Sequence, residues 1–249
     1  MEITSVNNEL VKEIVKLQQR RFRKASGKFL LEGYKAIKEA LDFGIKIEHI
    51  FTEEDSFDFP KELLIYTNKS VLKKLSTTES APEVVAVGIQ KKYNIELLKN
   101  FQKVLLLEDI KDVGNLGTII RSAVAFCADA IVLYGQSVDI YNPKCVRASV
   151  GNLWKIPIFN ISEIEELKFY FNDFERIATL PRTNNLLKNF EFKTPSLIMF
   201  GSEANGLSNE LIDFSTNSVK IEMDNAVESL NLATSVSVVM YELFMTNCK

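Results

Sequence analysis

The stretch SLIMFGSEANGLSNEL, Ser196 to Leu211, is an apolar strand followed by Gly201, four residues, Gly206 and a helix-like segment. It nearly fits the phosphate-binding pattern G-x-x-x-x-G-K-[ST], in which the lysine reaches the β- and γ-phosphates. Leu207 stands where that lysine belongs. Glu203 adds a carboxylate inside the loop, which repels a triphosphate instead of attracting it. The loop is thus of the strand–glycine–helix kind but unsuited to a nucleotide.

Working outward, the same alternation repeats. VLLLED, a helix from Gly114 to Cys127, AIVLYG, a helix from Pro143 to Val150, ERIATL, LIMFG, VKIEM and a long final helix follow one another. Strands alternating with helices predict an α/β fold, a mostly parallel sheet covered by helices on both faces. Ligands of such sheets bind where loops leave the carboxyl ends of the strands. Four loops qualify, EDIKDVGNLGTIIR, TLPRTNN, GSEANGLS and MDNAVESLN, and each carries polar residues that a turn does not need. Towards the N-terminus, Leu10, Ile14 and Leu17 have helical spacing, EGYKAIKEALDFG reads as a second helix closed by Gly44, and IEHIFT, LLIYT and EVVAVGI read as strands with KSVLKKLS as a helix between the last two. The expected division is a small α/β domain over residues 1–92, a polar linker over 93–102 and a second domain over 103–249.

A chain of 249 residues, nearly half apolar, can bury a substantial core. MEITSVNNELVKEIVKLQ is amphipathic, not a basic segment before an apolar signal core, and LATSVSVVMYELFM falls short of the roughly 20 residues of a membrane span. A cytoplasmic protein without a membrane segment is expected. Cys127, Cys145 and Cys248 are far apart and His49 is the single histidine, so reduced thiols and no metal are expected. His49 reads as structural.

The net charge of −3 hides an asymmetry. Residues 1–100 hold 17 Lys and Arg against 15 Asp and Glu, whereas residues 101–249 hold 13 against 18. QQRRFRKASGKF concentrates Arg20, Arg21, Arg23, Lys24 and Lys28 without an acid. The arginine fork suits phosphate oxygens, so the cluster points to RNA or another phosphate carrier; a solvated helix end is the plainer alternative.

Three further positions stand out. Asn115 and Gly117 open the helix after VLLLED, and Arg121, six residues beyond Asn115 in an otherwise apolar segment, is expected to face the same loop region; an interhelix ion pair is the alternative. Ser229 can cap the final helix. Asn231 interrupts Leu230, Leu232 and Ala233 where an apolar residue would serve.

N-x-G-x-x-x-R from Asn115, G-x-E-x-x-G-L-S from Gly201 and I-x-M from Ile221 followed by ESLN together resemble the three ordered motifs of the SpoU/TrmH-type RNA ribose-2′-O-methyltransferases of the SPOUT superfamily. YNPKCVRASVGNLWKIPI, from Tyr141, resembles the family's substrate-side segment, and ITSVNNELVKEIVKLQQRRFRKASGKFLLEG its N-terminal RNA-binding domain. The resemblance implies a trefoil knot at the C-terminal end, a homodimer, and S-adenosyl-L-methionine as the methyl donor. A sulfonium carries no phosphate, which accounts for a glycine loop with Glu203 and without lysine. By resemblance Arg121 is catalytic, with Asn115 orienting it and Glu203, Ser229 and Asn231 completing the pocket. Backbone groups of Leu180, Gly201, Ile221, Met223 and Leu230 hold the cofactor, while Arg20, Arg21 and Arg23 take RNA and Arg147 and Ser149 face RNA phosphate or the partner subunit. Two departures from the pattern are Ala204 after the glutamate, and Asn225–Ala226 in place of a glycine, so that Asn225 must supply any left-handed backbone itself. The implied substrate is structured RNA, ribosomal ahead of transfer RNA. A transfer-RNA enzyme, a catalytically silent RNA-binding member of the fold and, against the basic N-terminal arm, a small-molecule methyltransferase are the alternatives.

Overall fold

Four short runs rich in β-branched and aromatic residues pair in the first part of the chain: β1 (Lys28–Glu32), β2 (Ile47–Thr52), β3 (Leu64–Tyr66) and β4 (Val84–Ile89). The computed structural model describes residues 1–224 and 226–247. It orders these strands β1-β4-β2-β3, with β4 antiparallel to both neighbours and β2 parallel to β3. The helix Glu9–Val15 starts at Asn8, whose side chain accepts from the Leu10 amide (2.9 Å), and buries Val11 and Ile14. They join Leu17, Leu30, Phe51, Val85 and Val87 in one apolar cluster.

Strand β1 is absent from the sequence reading, because KFLLE follows the basic run without alternation. It is an edge strand, yet Phe29, Leu30 and Leu31 are fully buried. The cover of Phe29 comes from far along the chain. Residues Met1–Lys92 form one compact unit together with Asp139–Lys155, a segment that the sequence reading placed in the second domain. Phe29 packs on Tyr141 (ring centroids 4.8 Å) and Trp154 (5.3 Å). The helix Pro143–Ala148, shorter than expected, lies in this segment.

Arg23 locks the segment in place and is thereby removed from the RNA-facing set. It is 1% exposed. Its Nε donates to Asp139 Oδ2 (2.7 Å), and its Nη1 donates to the carbonyls of Leu17 (2.8 Å) and Gln18 (2.9 Å). Ser149 is corrected on the same ground: it is fully buried and its hydroxyl donates to the Val146 carbonyl (2.8 Å). Arg147 is half-exposed, and its Nη1 lies 3.1 Å from Glu32 Oε1 while donating to Thr77 Oγ1 (2.7 Å). Arg20 and Arg21 remain exposed, the Arg21 guanidinium lying 4.6 Å from the centre of the Phe22 ring.

The second unit comprises Tyr93–Val138 and the chain from Ile156 onward. Within the expected linker, Ile95–Asn100 is a 3-10 helix that buries Leu98. Its six strands are β5 (Lys103–Glu108), β6 (Ala130–Tyr134), β7 (Ile158–Ile161), β8 (Glu175–Thr179), β9 (Ser196–Phe200) and β10 (Asn217–Val219). All run parallel, in the order β10-β8-β9-β5-β6-β7. On one face Val104, Leu106, Val132, Leu197 and Met199 pack with Leu167, Phe171 and Leu211. The alternate set, Leu105, Leu107, Ile131, Leu133, Ile198 and Phe200, is equally buried, so the sheet is covered on both sides.

The short strand β7 and the helix Ile164–Phe171 behind it are also absent from the sequence reading. The run VKIEM predicts a strand, but the strand ends at Val219, and Ile221 and Met223 leave the sheet. The helix Val113–Ala125 packs on the final helix, Leu232–Asn247, with the Ser122 and Ser237 hydroxyls 2.7 Å apart and Phe126 against Tyr241 (5.7 Å). Asn225 and Cys248, both singled out in the sequence, lie outside the described residues.

Candidate functional site at the carboxyl ends of the strands

At the end of β9 the chain turns so sharply that only glycine fits. A Cβ on Gly201 would sit 1.8 Å from the Gly206 carbonyl carbon and 2.0 Å from the Leu207 nitrogen. The loop closes on its own stem through the Gly206 amide, which donates to the Ser202 carbonyl (2.9 Å), and Gly206 takes the left-handed conformation with φ +67°. Beyond it, the Ser208 amide donates to Glu108 Oε2 (2.8 Å), a buried carboxylate at the end of β5. Its hydroxyl caps the helix Asn209–Phe214 by accepting from Leu211 (3.3 Å). Carboxylates at 108 and 203 thus flank a loop whose lysine position is the buried Leu207. This is the reverse of a phosphate cradle.

Three side chains from three loops form a directed chain. Asn231 Nδ2 donates to Asn115 Oδ1 (3.1 Å), and Asn115 Nδ2 donates to Glu203 Oε1 (2.8 Å). A carboxylate only accepts, so Asn115 must turn its NH2 to Glu203 and its oxygen to Asn231. That leaves the Asn231 oxygen for the Ala233 (2.9 Å) and Thr234 (3.3 Å) amides at the start of the final helix. Asn231, not Ser229, is therefore the cap of that helix. Asp112 caps the other helix by accepting from Asn115 N (2.7 Å). Helix caps thus fix Asn231 and the helix that carries Asn115, and Asn115 in turn holds Glu203 in one place.

Around these residues opens a cleft of about 450 Å3, within the range of small-molecule sites. All five positions expected to hold a cofactor, Leu180, Gly201, Ile221, Met223 and Leu230, border it, as do Glu203, Ser229 and Asn231. Its lining mixes apolar side chains with hydroxyls and two carboxylates, Glu203 and Glu228, and among the described residues holds no cation. Sequence reasoning passed over Glu228, although the residue lies in the VESLN run quoted for Ser229 and Asn231. Asn115 stands one hydrogen bond behind the cleft wall.

Arg121 does not border the cleft. Six residues advance a helix by about 600°, which leaves Arg121 roughly 120° around the axis from Asn115. It is exposed and makes no ion pair or hydrogen bond with any described residue, so the interhelix ion pair is not formed. Arg20, Arg21, Arg23, Arg147 and Ser149 all belong to the first unit.

Among the described residues no helix is long and apolar enough to cross a membrane, and no three His, Cys, Asp or Glu side chains gather as a metal site.

Comparison with known proteins gives the following. The model of the SpoU rRNA methylase family matches residues 102–241, and that of the MRM3-like substrate binding domain matches residues 8–86. An uncharacterized tRNA/rRNA methyltransferase of Synechocystis is 34% identical, covering 96% of this chain and 92% of its own. A 23S rRNA (uridine(2479)-2′-O)-methyltransferase of Streptomyces viridochromogenes is 27% identical over 96% of this chain and 90% of its own. Among solved structures, an AdoMet-bound rRNA methyltransferase from Sinorhizobium meliloti aligns with a TM-score of 0.85 and 25% identity, over 97% of this chain and 96% of that one.

Proposed function

The chain belongs to the SpoU rRNA methylase family, and from that membership we propose that it transfers the methyl group of S-adenosyl-L-methionine to a ribose 2′-hydroxyl of structured RNA. The observation that carries this reading is the cleft itself: a glycine loop, a mixed apolar and hydroxyl lining, two carboxylates and, among the described residues, no cation. A sulfonium and an ammonium suit such a donor set; a polyphosphate does not. When bound, the cofactor supplies an electrophilic methyl group whose carbon–sulfur bond breaks as the carbon–oxygen bond to the ribose forms.

The residues of this chain do the rest. Backbone groups of Leu180, Gly201, Ile221, Met223 and Leu230 would hold the cofactor, and Glu203, fixed through Asn115 and Asn231, would supply negative charge for its cationic groups. Ser229 completes the wall. Transfer needs the 2′-hydroxyl proton removed or its developing charge stabilised. Arg121 is the residue for that role, as the unpaired guanidinium of the unit's site-bearing helix. A guanidinium hardly deprotonates, so its contribution is to bind the 2′-oxygen as charge develops there. Because Arg121 points away from its own cleft, the reading includes a homodimer in which Arg121 serves the site together with a second copy. Tyr241, 47% exposed, and Met245, 39% exposed, on the final helix support that interface. The reading also includes a cytoplasmic enzyme acting on ribosomal RNA, with the chain after β9 threaded as a knot and the first unit, residues 1–92 completed by 139–155, as the RNA-binding domain.

Isothermal titration calorimetry tests the cofactor. S-adenosylmethionine or its demethylated product binds and ATP with magnesium does not; micromolar ATP binding would overturn the reading.

For the N-terminal cluster, Arg20→Ala with Arg21→Ala should lower the slope of log affinity against log salt for a 23S rRNA transcript by roughly 0.7–0.9 per lost contact. Arg23→Ala should instead lower the melting temperature, because it strands Asp139 (15% exposed) without its partner. An unchanged slope in the double variant would leave Arg20 and Arg21 as a solvated helix end.

A further inference from the structure

The loop TLPRTNN stands among the four at the carboxyl ends of the strands, yet the cofactor cleft uses only its first residues. Thr179, Leu180 and Pro181 line the cleft. From Pro181 onward the chain borders a second, adjoining groove of about 490 Å3, lined by Pro181, Arg182, Thr183, Asn184 and Lys220. Two of its five residues are cations and none is an acid.

That composition is unusual for its surroundings. Residues 101–249 carry five more acids than bases, and the neighbouring Lys188 is already paired with Glu222. Arg182 is exposed and Lys220 half-buried, and neither side chain has an ion-pair or hydrogen-bond partner among the described residues. The backbone beneath them is fixed. The Thr183 and Ser218 hydroxyls are 2.7 Å apart, Asn185 Nδ2 donates to the Ser218 carbonyl (3.0 Å), and the Lys220 amide donates to the Asn185 carbonyl (3.0 Å). Two cations without a described partner thus project from a backbone that is fixed beneath them, an arrangement open to an anion.

Their place in the fold says which anion. Arg182 follows Pro181 and Lys220 precedes Ile221, and both Pro181 and Ile221 line the cleft, so the cations sit on its rim. Arg182 lies in the loop after β8 and Lys220 directly after the edge strand β10, two and three ladder steps from β5, whose loop carries Asn115. Two to three steps are roughly 10–14 Å, which at about 3.4 Å per stacked nucleotide is on the order of three to four nucleotides along a strand. We propose that Arg182 and Lys220 form a phosphodiester site that holds the substrate RNA strand a few nucleotides from the methylated ribose. Arg182 contributes the planar fork that suits phosphate oxygens, Lys220 a second charge, and Asn184 a neutral donor. The inference rests on the RNA methyltransferase reading and adds to it an RNA contact in the second unit, separate from the arginines of the first.

The test is the pair Arg182→Ala with Lys220→Gln, measured with a 23S rRNA transcript and with unfractionated tRNA. Binding across a salt series should lose roughly 1.4–1.8 from the log–log slope, two contacts at 0.7–0.9 each, while calorimetric affinity for S-adenosylmethionine stays within twofold. Exchanging the two side chains, Arg182→Lys with Lys220→Arg, keeps both positive charges and should restore most of the slope, which a variant damaged in folding would not do. An unchanged slope in the double variant, where the wild type does methylate RNA, would overturn the inference alone. A tenfold loss of cofactor affinity would overturn it too, assigning the cations to the cofactor's carboxylate. Absence of ribose methylation by the wild type on either RNA would sink the underlying reading instead.

Discussion

Arg121→Lys should fold, bind S-adenosylmethionine as the parent does, and transfer methyl at least about 10²-fold more slowly. The scale is that of removing one preorganised charge-stabilising donor from an active site. Lysine keeps the charge but loses the planar fork. Stability should not fall, because Arg121 is exposed and pairs with no described residue. Single-turnover kinetics with cofactor and RNA both saturating isolate the step from binding. A variant that melts early yet transfers at the parental rate would return Arg121 to a structural role.

The second large effect is expected at Gly201. Gly201→Ala forces a methyl group to within about 2 Å of backbone atoms of Gly206 and Leu207, which cannot turn aside as a side chain would. Overpacking against backbone costs on the order of 3 kcal/mol, a fall in melting temperature of roughly 6–12 °C for a chain of this size. Because the loop also forms the cleft wall, S-adenosylmethionine affinity should drop by on the order of 10²-fold. Gly206→Ala is the control. Nothing lies within 4 Å of its Cβ position, so only the left-handed backbone at φ +67° opposes it, at about 1–2 kcal/mol. Calorimetry and thermal melts of the two variants side by side check this; equal damage from both would mean that loop closure at Gly201 is not what shapes the cleft.

How much of this could be read from the sequence differs by element, for physical reasons. Apolar runs such as LLL at 105–107 and LIM at 197–199 declare strands buried on both faces, and the parallel sheet follows from them. β1 follows a basic run without alternation and β7 has only four residues, and the rings that cover Phe29 on β1 are remote in sequence. The cofactor cleft was legible because its residues lie on loops whose polar content has no structural use. What the sequence could not separate were side chains of one type in one run. Arg21 and Arg23 are two positions apart, hence roughly 200° around a helix, so one is exposed and the other buried on Asp139. The cap at Asn231 instead of Ser229 and the turned-away Arg121 are the same kind of difference, since both depend on the angle at which a helix starts. Arg182 and Lys220 are 38 positions apart and become neighbours only through the loop–strand contacts beside β10.

The borrowed segment 139–155 bears on the order in which the protein matures. When Lys92 has been synthesised, β1 exists without the rings that cover Phe29, and Arg23 without its carboxylate. Domains made on the ribosome ordinarily condense from the N-terminal end, each when its last residue emerges. Here the last residue of the first unit is Lys155, by which point β5 and β6 of the second have also been made. The N-terminal unit is therefore not a detachable module that waits, finished, for its enzyme. The two halves mature in an interleaved order, and a gene split between residues 92 and 93 yields a first product with its ion pair and its aromatic cover left on the other fragment.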